Sequence, residues 1–424
     1  MKSVRKSTMV LPEEMIEEIL MKIPAGYVWD IRRVCKSWKA LITHPQFASK
    51  HFERNKNNAS SFLLIAFCQH LRRKSLSLFR LNHHPHTLVD INSIAARRLD
   101  YFYFRNNFPD LFKELVVAGS INGIVCVSTF CKSITRFLAL WNPAINRWKP
   151  IPLLPYKKND GEYSSVGLAF DYLTNDYRII RLVSVLTDIQ EPSSRIEMYS
   201  VNQDSWIEAA TSSPFPYFTT QPNCTVIVKG IPYWSKNYQE FFDYWNERFQ
   251  SNVIATVDPH TGLYKEISYP QIVTNENTTV HPFNFMDSLA VLIFENSNPK
   301  MFHVYALDEK SHGANWINIY TSAPTSLQST NMCIFRCFQD AGKIIVVGWN
   351  YDDCRRSFLY NLQTDSLCHT IGMDALRPRW DETYYHVESL VCLDGMEPIQ
   401  REEDINNKDC ANLLYLGRDL GPLL

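Results

Sequence analysis

Residues 141–148, WNPAINRW, read as a β-hairpin. A strand ends near Trp141, the turn Asn142-Pro143-Ala144-Ile145-Asn146 reverses the chain, and a second strand resumes by Trp148. Asn and Pro supply the backbone angles a tight turn needs, and aromatic and β-branched residues favour the flanking strands. The pattern recurs. SVNQDS precedes Trp206, DPHTG precedes Tyr264, DEKSHGAN precedes Trp316 and NLQTDS precedes Leu367. From Trp148 onward these resuming positions stand 58, 58, 52 and 51 residues apart. The aromatic in each unit is expected to pack between neighbouring sheets.

Between the hairpins lie near-continuous apolar runs: GIVCV (123–127), VGLAF (166–170), YRIIRLV (177–183), GIPYW (230–234), SLAVLIF (288–294) and GKIIVVG (342–348). Such runs read as strands buried on both faces. Each unit therefore offers an inner buried strand and an outer hairpin, about four strands in all. A period near 50 with that content fits a kelch-like propeller, whereas tryptophan–aspartate repeats run about 40–45 residues. Five units are visible from 119 to about 371. HVESLVCL (386–393) offers a strand that could pair with SFLLIAF (61–67) and SLSLFRL (75–81), closing a six-bladed ring without exposed edges. An open or irregular β-structure is the alternative. Between residues 82 and 118, pattern alone does not separate helix from strand.

The N-terminal stretch has a different period. In LPEEMIEEILMKIP (11–24), Pro12 suits the first helical position and the four glutamates Glu13, Glu14, Glu17 and Glu18 oppose the helix dipole. Met15, Ile16, Ile19, Leu20 and Ile23 form an apolar stripe, and Pro24-Ala25-Gly26 ends the helix. A second helix is predicted from about Val28 to Ile42, and Pro45 opens a third. Three helices in about 40 residues bury little surface by themselves. Their apolar surplus, Trp29 and Trp38 included, calls for completion by a partner or by the rest of the chain. The fold class is thus α+β and multidomain: a flexible start (1–10), a three-helix module (11–56), a mainly-β domain (57–396) and a loosely attached charged tail (397–424).

A net charge of −1 argues against a general nucleic-acid binder. Residues 1–56, with 11 Lys+Arg against 6 Asp+Glu, are locally basic, as solvated helix faces often are. No apolar run reaches the 18 or more residues that would span a bilayer, and MKSVRKSTMV has no apolar core for export. We expect no membrane partner and a cytoplasmic or nuclear chain whose 11 cysteines are reduced. Cys126…Cys131 and Cys333…Cys337 lack a second ligand pair, so no metal is expected. His83, His84 and His86 read as a solvated loop, and Asp171, Asp176, Asp258 and Asp308 as turn residues. Trp148, Trp206 and Trp316 read as packing rather than sugar-stacking platforms. No catalytic constellation or cofactor fingerprint is found.

Leu11-Pro12, Ile19-Leu20, Ile23-Pro24, Val34-Cys35-Lys36-Ser37-Trp38, Leu41-Ile42 and Pro45-x-Phe47 stand in the order of an F-box. The chain departs from plant members at Gly26, Tyr27 and Asp30, where they usually carry lysine, serine and arginine. WNPAINRW, GLAFDYLTNDYRIIRL (167–182) and ESLVCLDG (388–395) resemble phrases of the F-box-associated domain of plant F-box proteins, a group that includes the pollen S-locus proteins. The resemblance implies a non-catalytic receptor of a Skp–cullin–F-box ubiquitin ligase. Its F-box would bind the Skp-type adaptor, and through it cullin and RING subunits, and its β-domain a protein substrate, in the S-locus case a pistil ribonuclease. The implied adaptor contacts are Leu11, Pro12, Ile16, Ile19, Leu20, Ile23, Pro24, Val34, Lys36 and Trp38. An F-box decoy or scaffold without ubiquitination, and a propeller enzyme or lectin acting on glycans, are the alternatives.

Overall fold

The computed structural model describes residues 11–57, 62–70, 73–81, 88–90, 115–131, 134–154, 162–185, 193–209, 224–235, 253–272, 278–295, 300–309, 315–323, 325, 332–340, 343–350, 356–372 and 377–398. The histidines at 83, 84 and 86, and most of the C-terminal tail, lie outside the described residues.

Four short helices come first: α1 (Glu13–Leu20), α2 (Ala25–Ile31), α3 (Lys36–Thr43) and α4 (Pro45–Asn57). The single helix predicted over 28–42 is two. Cys35 breaks it by adopting an extended backbone (φ −156°, ψ 169°), and its Sγ accepts a hydrogen bond from Trp38 N at 3.5 Å. That cap starts α3 afresh, at an angle the apolar periodicity does not reveal.

Strands β1 (Phe62–His70), β2 (Arg73–Leu81) and β3 (Leu88–Asp90) follow. Blade 1 comprises β4 (Leu115–Ile121), β5 (Ile124–Cys131), β6 (Ile134–Asn142) and β7 (Arg147–Pro150). Blade 2 holds β8 (Glu162–Asp171), β9 (Asp176–Val185), β10 (Ser193–Ser200) and β11 (Ser205–Ala209). Blade 3 holds β12 (Val226–Val228), β13 (Ile231–Ser235), β14 (Val253–Val257) and β15 (Tyr264–Ser268). Blade 4 holds β16 (Thr278–Phe285), β17 (Ser288–Glu295), β18 (Met301–Asp308) and β19 (Asn315–Ser322). Blade 5 holds β20 (Met332–Asp340), β21 (Lys343–Asn350), β22 (Arg356–Asn361) and β23 (Ser366–Gly372). Within each blade the strands are antiparallel neighbours in chain order.

The sixth sheet closes the ring. Its innermost strand, β24 (Arg377–Val387), comes from the C-terminal side and pairs antiparallel with β1, followed outward by β2 and β3. The closing strand expected at 386–393 lies earlier in the chain and shares only His386 and Val387 with that stretch. Residues 388–393 run as irregular chain across blade 1, and the pairing falls on 377–387 instead. A last short strand, β25 (Glu397–Pro398), adds to the outer edge of β7, making blade 1 five-stranded. The innermost strands β4, β8, β12, β16, β20 and β24 line the centre, with contacts that run round the whole ring, β8 reaching blade 3 through β13.

All five predicted outer hairpins join the third and fourth strands of a blade. A residue at the end of the turn is left-handed in four of them: Asn146, Asp204 and Asp365 directly before the resuming strand and Gly262 one residue earlier, at φ between 48° and 72°. Asn, Asp and Gly tolerate that conformation at little cost. Most of the apolar runs lie inside the outer hairpin as expected, as the second strand of their blade: β5, β9, β13, β17 and β21. A second strand is flanked within its sheet and covered on both faces by neighbouring blades, which is why Leu289 through Phe294 are all buried.

The repeated tryptophans join blades by hydrogen bonds as well as by packing. Trp206 Nε1 donates to Pro152 O (2.5 Å), and Trp316 Nε1 donates to Ser268 O (2.7 Å), each reaching back to the preceding blade. A register shift opposite Val304/Tyr305 turns β19 between Asn318 and Tyr320, so that Tyr320 faces the other way and donates to Leu362 O of blade 5 (2.7 Å).

Candidate functional site

Helix α1 divides its apolar residues between two faces. Met15 and Ile19, four residues apart on one face, are 51% and 47% exposed, and Leu11, just ahead of the helix, is 48% exposed. Ile16 and Leu20 turn inward; Leu20 is 1% exposed and packs with Ala25, Val28, Trp29, Ile42 and Phe47. Two more large apolar side chains stand in water on this module, Tyr27 (53%) and Val34 (68%). Soluble proteins keep such groups singly at the surface, whereas several on one small module mark an interaction surface.

Of the ten residues implied by resemblance, Leu11, Pro12, Ile19, Pro24, Val34 and Lys36 are exposed. Ile16, Ile23 and Trp38 are half-buried against the helical core, and Leu20 belongs to it. Met15 and Tyr27 are exposed too but are not among the contacts that the resemblance implies. The spacing of Met15 and Ile19 was available as a signal for the first; nothing in the sequence marked the second.

The helices are held by a few specific bonds. His51 is fully buried; its Nε2 donates to Ile23 O (2.8 Å) and its Nδ1 accepts from Asn55 Nδ2 (3.1 Å). Those partners specify a neutral ring, and burial pushes its pKa down. Glu17 of α1 and Lys50 of α4 pair at 3.0 Å on the surface.

The opposite side of the module is seated on blade 1. Ala144 and Ile145, the tip of the WNPAINRW hairpin, enter the helical core together with Leu390. Two guanidinium groups stand over the Trp29 ring, Arg32 at 4.0 Å and Arg147 at 5.7 Å from its centroid. The hairpin also grips the irregular segment after β24. Asn142 Nδ2 donates to Ser389 O (3.1 Å) and Val391 O (2.8 Å), Arg147 Nη1 to Met396 O (2.9 Å), and Lys149 Nζ to Asp394 O (3.1 Å). WNPAINRW and ESLVCLDG, distant in sequence, therefore meet where helices and ring join. The expected completion of the module's apolar surplus is supplied on this side by the chain itself.

The third phrase, GLAFDYLTNDYRIIRL, forms β8, its turn and β9. Asp171 Oδ1 accepts from Leu173 N (2.9 Å), and its Oδ2 faces Thr174 Oγ1 (2.6 Å) and His260 Nδ1 (2.9 Å) of blade 3. Burial alone would raise this carboxyl; the hydrogen bonds outweigh it and hold the pKa at about 2. Asp176 accepts from Ser200 Oγ (2.6 Å) and Asn202 N (2.9 Å) and pairs with Arg178 at 3.1 Å. Asp258 accepts from the N–H groups of His260 and Thr261. These carboxylates are occupied in tying turns and blades together. The centre of the ring between blades 1, 3 and 6 is filled: Tyr384 OH donates to Cys224 O, and a Cβ on Gly119 would lie 2.6 Å from Ile227 Cδ1. Among the described residues no cluster of His, Cys, Asp and Glu could hold a metal.

Residues 120–393 match the F-box associated beta propeller domain, and residues 10–50 match the F-box domain. F-box protein At3g08750 of Arabidopsis thaliana is 26% identical over 249 residues, which cover 57% of this chain and 59% of the relative. F-box/kelch-repeat protein At3g23880 of the same plant is 28% identical over 214 residues, 48% of this chain and 52% of the relative. The chain thus spans less than two thirds of the length of these relatives. Among solved structures, a fungal lectin of Aleuria aurantia with a six-bladed propeller aligns at TM-score 0.32 and 8% identity, over 74% of this chain and 96% of the lectin. A likeness that distant carries no argument about activity.

Proposed function

Because this chain belongs to the F-box associated beta propeller family, we propose that it is the substrate-receiving subunit of a Skp–cullin–F-box ubiquitin ligase. The observation that carries the reading is the division of the helical module. One side is locked onto blade 1, while Leu11, Met15, Ile19, Tyr27 and Val34 remain in water, available to a Skp-type adaptor. In this reading Leu20 positions α1 from within, and Ile16, Ile23 and Trp38 serve both the core and the edge of the docking surface.

The propeller holds a protein substrate, and the adaptor brings cullin, RING subunit and the charged conjugating enzyme to it. Catalysis of this kind is proximity, an increase in effective concentration. In this reading the receptor itself makes no covalent intermediate, and Asp171, Asp176 and Asp258 serve turns and blade contacts. The same reading has the chain working in the cytoplasm or nucleus. Resemblance to the pollen S-locus group makes a pistil ribonuclease the first substrate to try.

Co-expression with adaptor, cullin and RING subunits tests this. Recovery of all three with the wild-type chain is expected, together with ubiquitin transfer to a co-purified protein. Recovery of adaptor without cullin would instead identify a decoy, and no adaptor at all would overturn the reading.

A further inference from the structure

The turns that join first to second strands differ from blade to blade. Blade 1 uses Asn122-Gly123, both left-handed at φ 48° and 81°, the ordinary chemistry of a two-residue hairpin. Blade 4 puts Met286-Asp287 in the same two left-handed positions, at φ 50° and 58°. Methionine is ill suited to that backbone, and Met286, 74% exposed, gains no burial in return. Strained turns of this kind cluster at binding sites. In blade 2 the turn after Asp171 presents Tyr172 and Leu173, 62% and 79% exposed. Among the described residues these three are the most exposed large apolar side chains of the ring.

They belong to one surface. Tyr172 packs edge-on against Phe170, ring centroids 4.8 Å apart, and lies over Gly230 of the blade 3 turn, where a Cβ would stand 3.0 Å from its ring. The adjacent Lys229 pairs with Glu309, just after β18 of blade 4, at 2.8 Å. His260 of the blade 3 outer hairpin reaches Asp171 at 2.9 Å. Blades 2, 3 and 4 are thus fastened together along this rim. Burial raises the pKa of the Tyr172 phenol, and the negative charges of Asp287 in blade 4 and Glu53 in α4 raise it further. The rim therefore adjoins the helical module. Both carboxylates are exposed, and neither has an ion-pair partner among the described residues, while Lys229 is already taken by Glu309.

That chemistry narrows what fits. A cationic side chain laid over the Tyr172 ring would meet the ring face and both carboxylates. Large apolar side chains beside it would cover Leu173 and Met286, and methionine adapts its shape to varied apolar partners. A second copy of this chain would add two more carboxylates to the same contact, and that repulsion opposes self-association.

We propose that this rim of blades 2 to 4 receives the protein substrate, and that the segment it takes has a lysine or arginine set among large apolar side chains. The partner's fate as a substrate rests on the receptor reading; the chemistry of the rim does not.

A random peptide library displayed on phage and selected on the full chain tests it. The selected peptides are expected to share a lysine or arginine within an apolar run. A synthetic peptide of the selected sequence should bind Leu173→Ser/Met286→Asn about tenfold or more weakly than the wild type, the loss typical of hot-spot contacts. Asparagine suits the left-handed turn, so that variant should melt no lower than the wild type. Glu53→Gln/Asp287→Asn should also weaken binding and flatten its salt dependence. Skp-type adaptor binding should be the same in every variant. Adaptor binding with no peptide enriched overturns the proposal and leaves the receptor reading standing. Peptide binding that the variants lose, in a chain that recovers no adaptor, upholds the rim and removes the receptor reading. Peptides that lack a basic residue, or that bind both variants as tightly as the wild type, overturn the proposal. So does binding that appears only when Lys2, Arg5 and Lys6 are changed to Gln, which would give the rim to the chain's own first residues.

Discussion

Arg147 of strand β7 stands 5.7 Å from the centroid of the Trp29 ring of helix α2, across the junction of helices and propeller. Arg32 covers the same ring at 4.0 Å, so one indole is the point where the two parts of the chain meet. A guanidinium over an indole contributes about 0.5–1 kcal/mol at a partly exposed site. Arg147 also donates to Met396 O, a bond worth about 1 kcal/mol net.

Arg147→Ala is therefore expected to lower stability by about 1–2 kcal/mol, and Trp29→Ala, which empties a buried site, by about 3–5 kcal/mol. In Trp29→Ala the helical signal at 222 nm should melt before the sheet signal, whereas the wild type melts in one transition. A single unchanged transition in Trp29→Ala would show that the helices are not held by this contact.

Gly123 packs against Ser389. A Cβ there would lie 2.1 Å from Ser389 Oγ and 2.9 Å from its backbone N, at a φ of +81°. Gly395 has a similar φ of +78°, but its nearest neighbour would be the flexible end of Lys149 at 3.4 Å. Gly395→Ala should cost only the strain of a left-handed alanine, about 1 kcal/mol. Gly123→Ala adds overpacking, typically about 1–3 kcal/mol more. Urea midpoints of the two variants measure the difference, and equal values would contradict the close packing of 389 on blade 1.

Acid should weaken the fold from the histidines first. His386, whose Nδ1 lies 2.9 Å from Ser120 Oγ where β24 meets β4, is fully buried, and desolvation lowers its pKa to about 3. His51 is shifted down for the same reason. A base with a lowered folded pKa stays neutral while the unfolded chain takes up a proton. Stability is then level above the unfolded value of about 6.5 and falls below it, at about 1.4 kcal/mol per pH unit for His386 alone. Asp171, held at about 2, adds a further loss only below about pH 4. Unfolding free energies at pH 7.5 and 5.5 should differ by more than about 1 kcal/mol; a flat profile would mean that water reaches both rings.

Arg181 Nη1 and Glu197 Oε2 pair at 2.8 Å inside blade 2, and Arg195 Nε reaches Glu197 Oε1 at 2.7 Å. Removing one partner of a buried pair strands the other charge, at a cost of about 3–5 kcal/mol. Glu197→Leu should be that severe, while Arg181→Met/Glu197→Leu, which removes both central charges, should lose less than Arg181→Met and Glu197→Leu summed. Additive losses in this double-mutant cycle would contradict the coupling.

The outer hairpins were readable because turn chemistry is local: Asn142, Asp258 and Asn361 each accept N–H bonds from the residues just after them. The break at Cys35 was not, since the apolar stripe continues through it and only the backbone angle changes. The closing strand was misplaced for a related reason. Residues 386–393 are apolar enough for a strand, but Asn142 takes up the carbonyls of Ser389 and Val391, which removes them from any ladder. The exposed stripe on α1 was half legible. Spacing showed the apolar positions, while the division between Ile19 in water and Leu20 in the core depends on where α2 and α3 pack.

Adaptor affinity is the most direct test of the proposed role. Binding of a purified Skp-type adaptor should be measured for the wild type, for Met15→Asp/Ile19→Asp on the exposed face of α1, and for Ile317→Lys/Ile319→Lys on the distant propeller edge. The α1 variant is expected to weaken binding about 30-fold or more, the loss of about 2 kcal/mol typical of a hot-spot residue, and the propeller variant to leave it unchanged. Equal binding by all three chains, or binding by none, would contradict the docking surface proposed for α1.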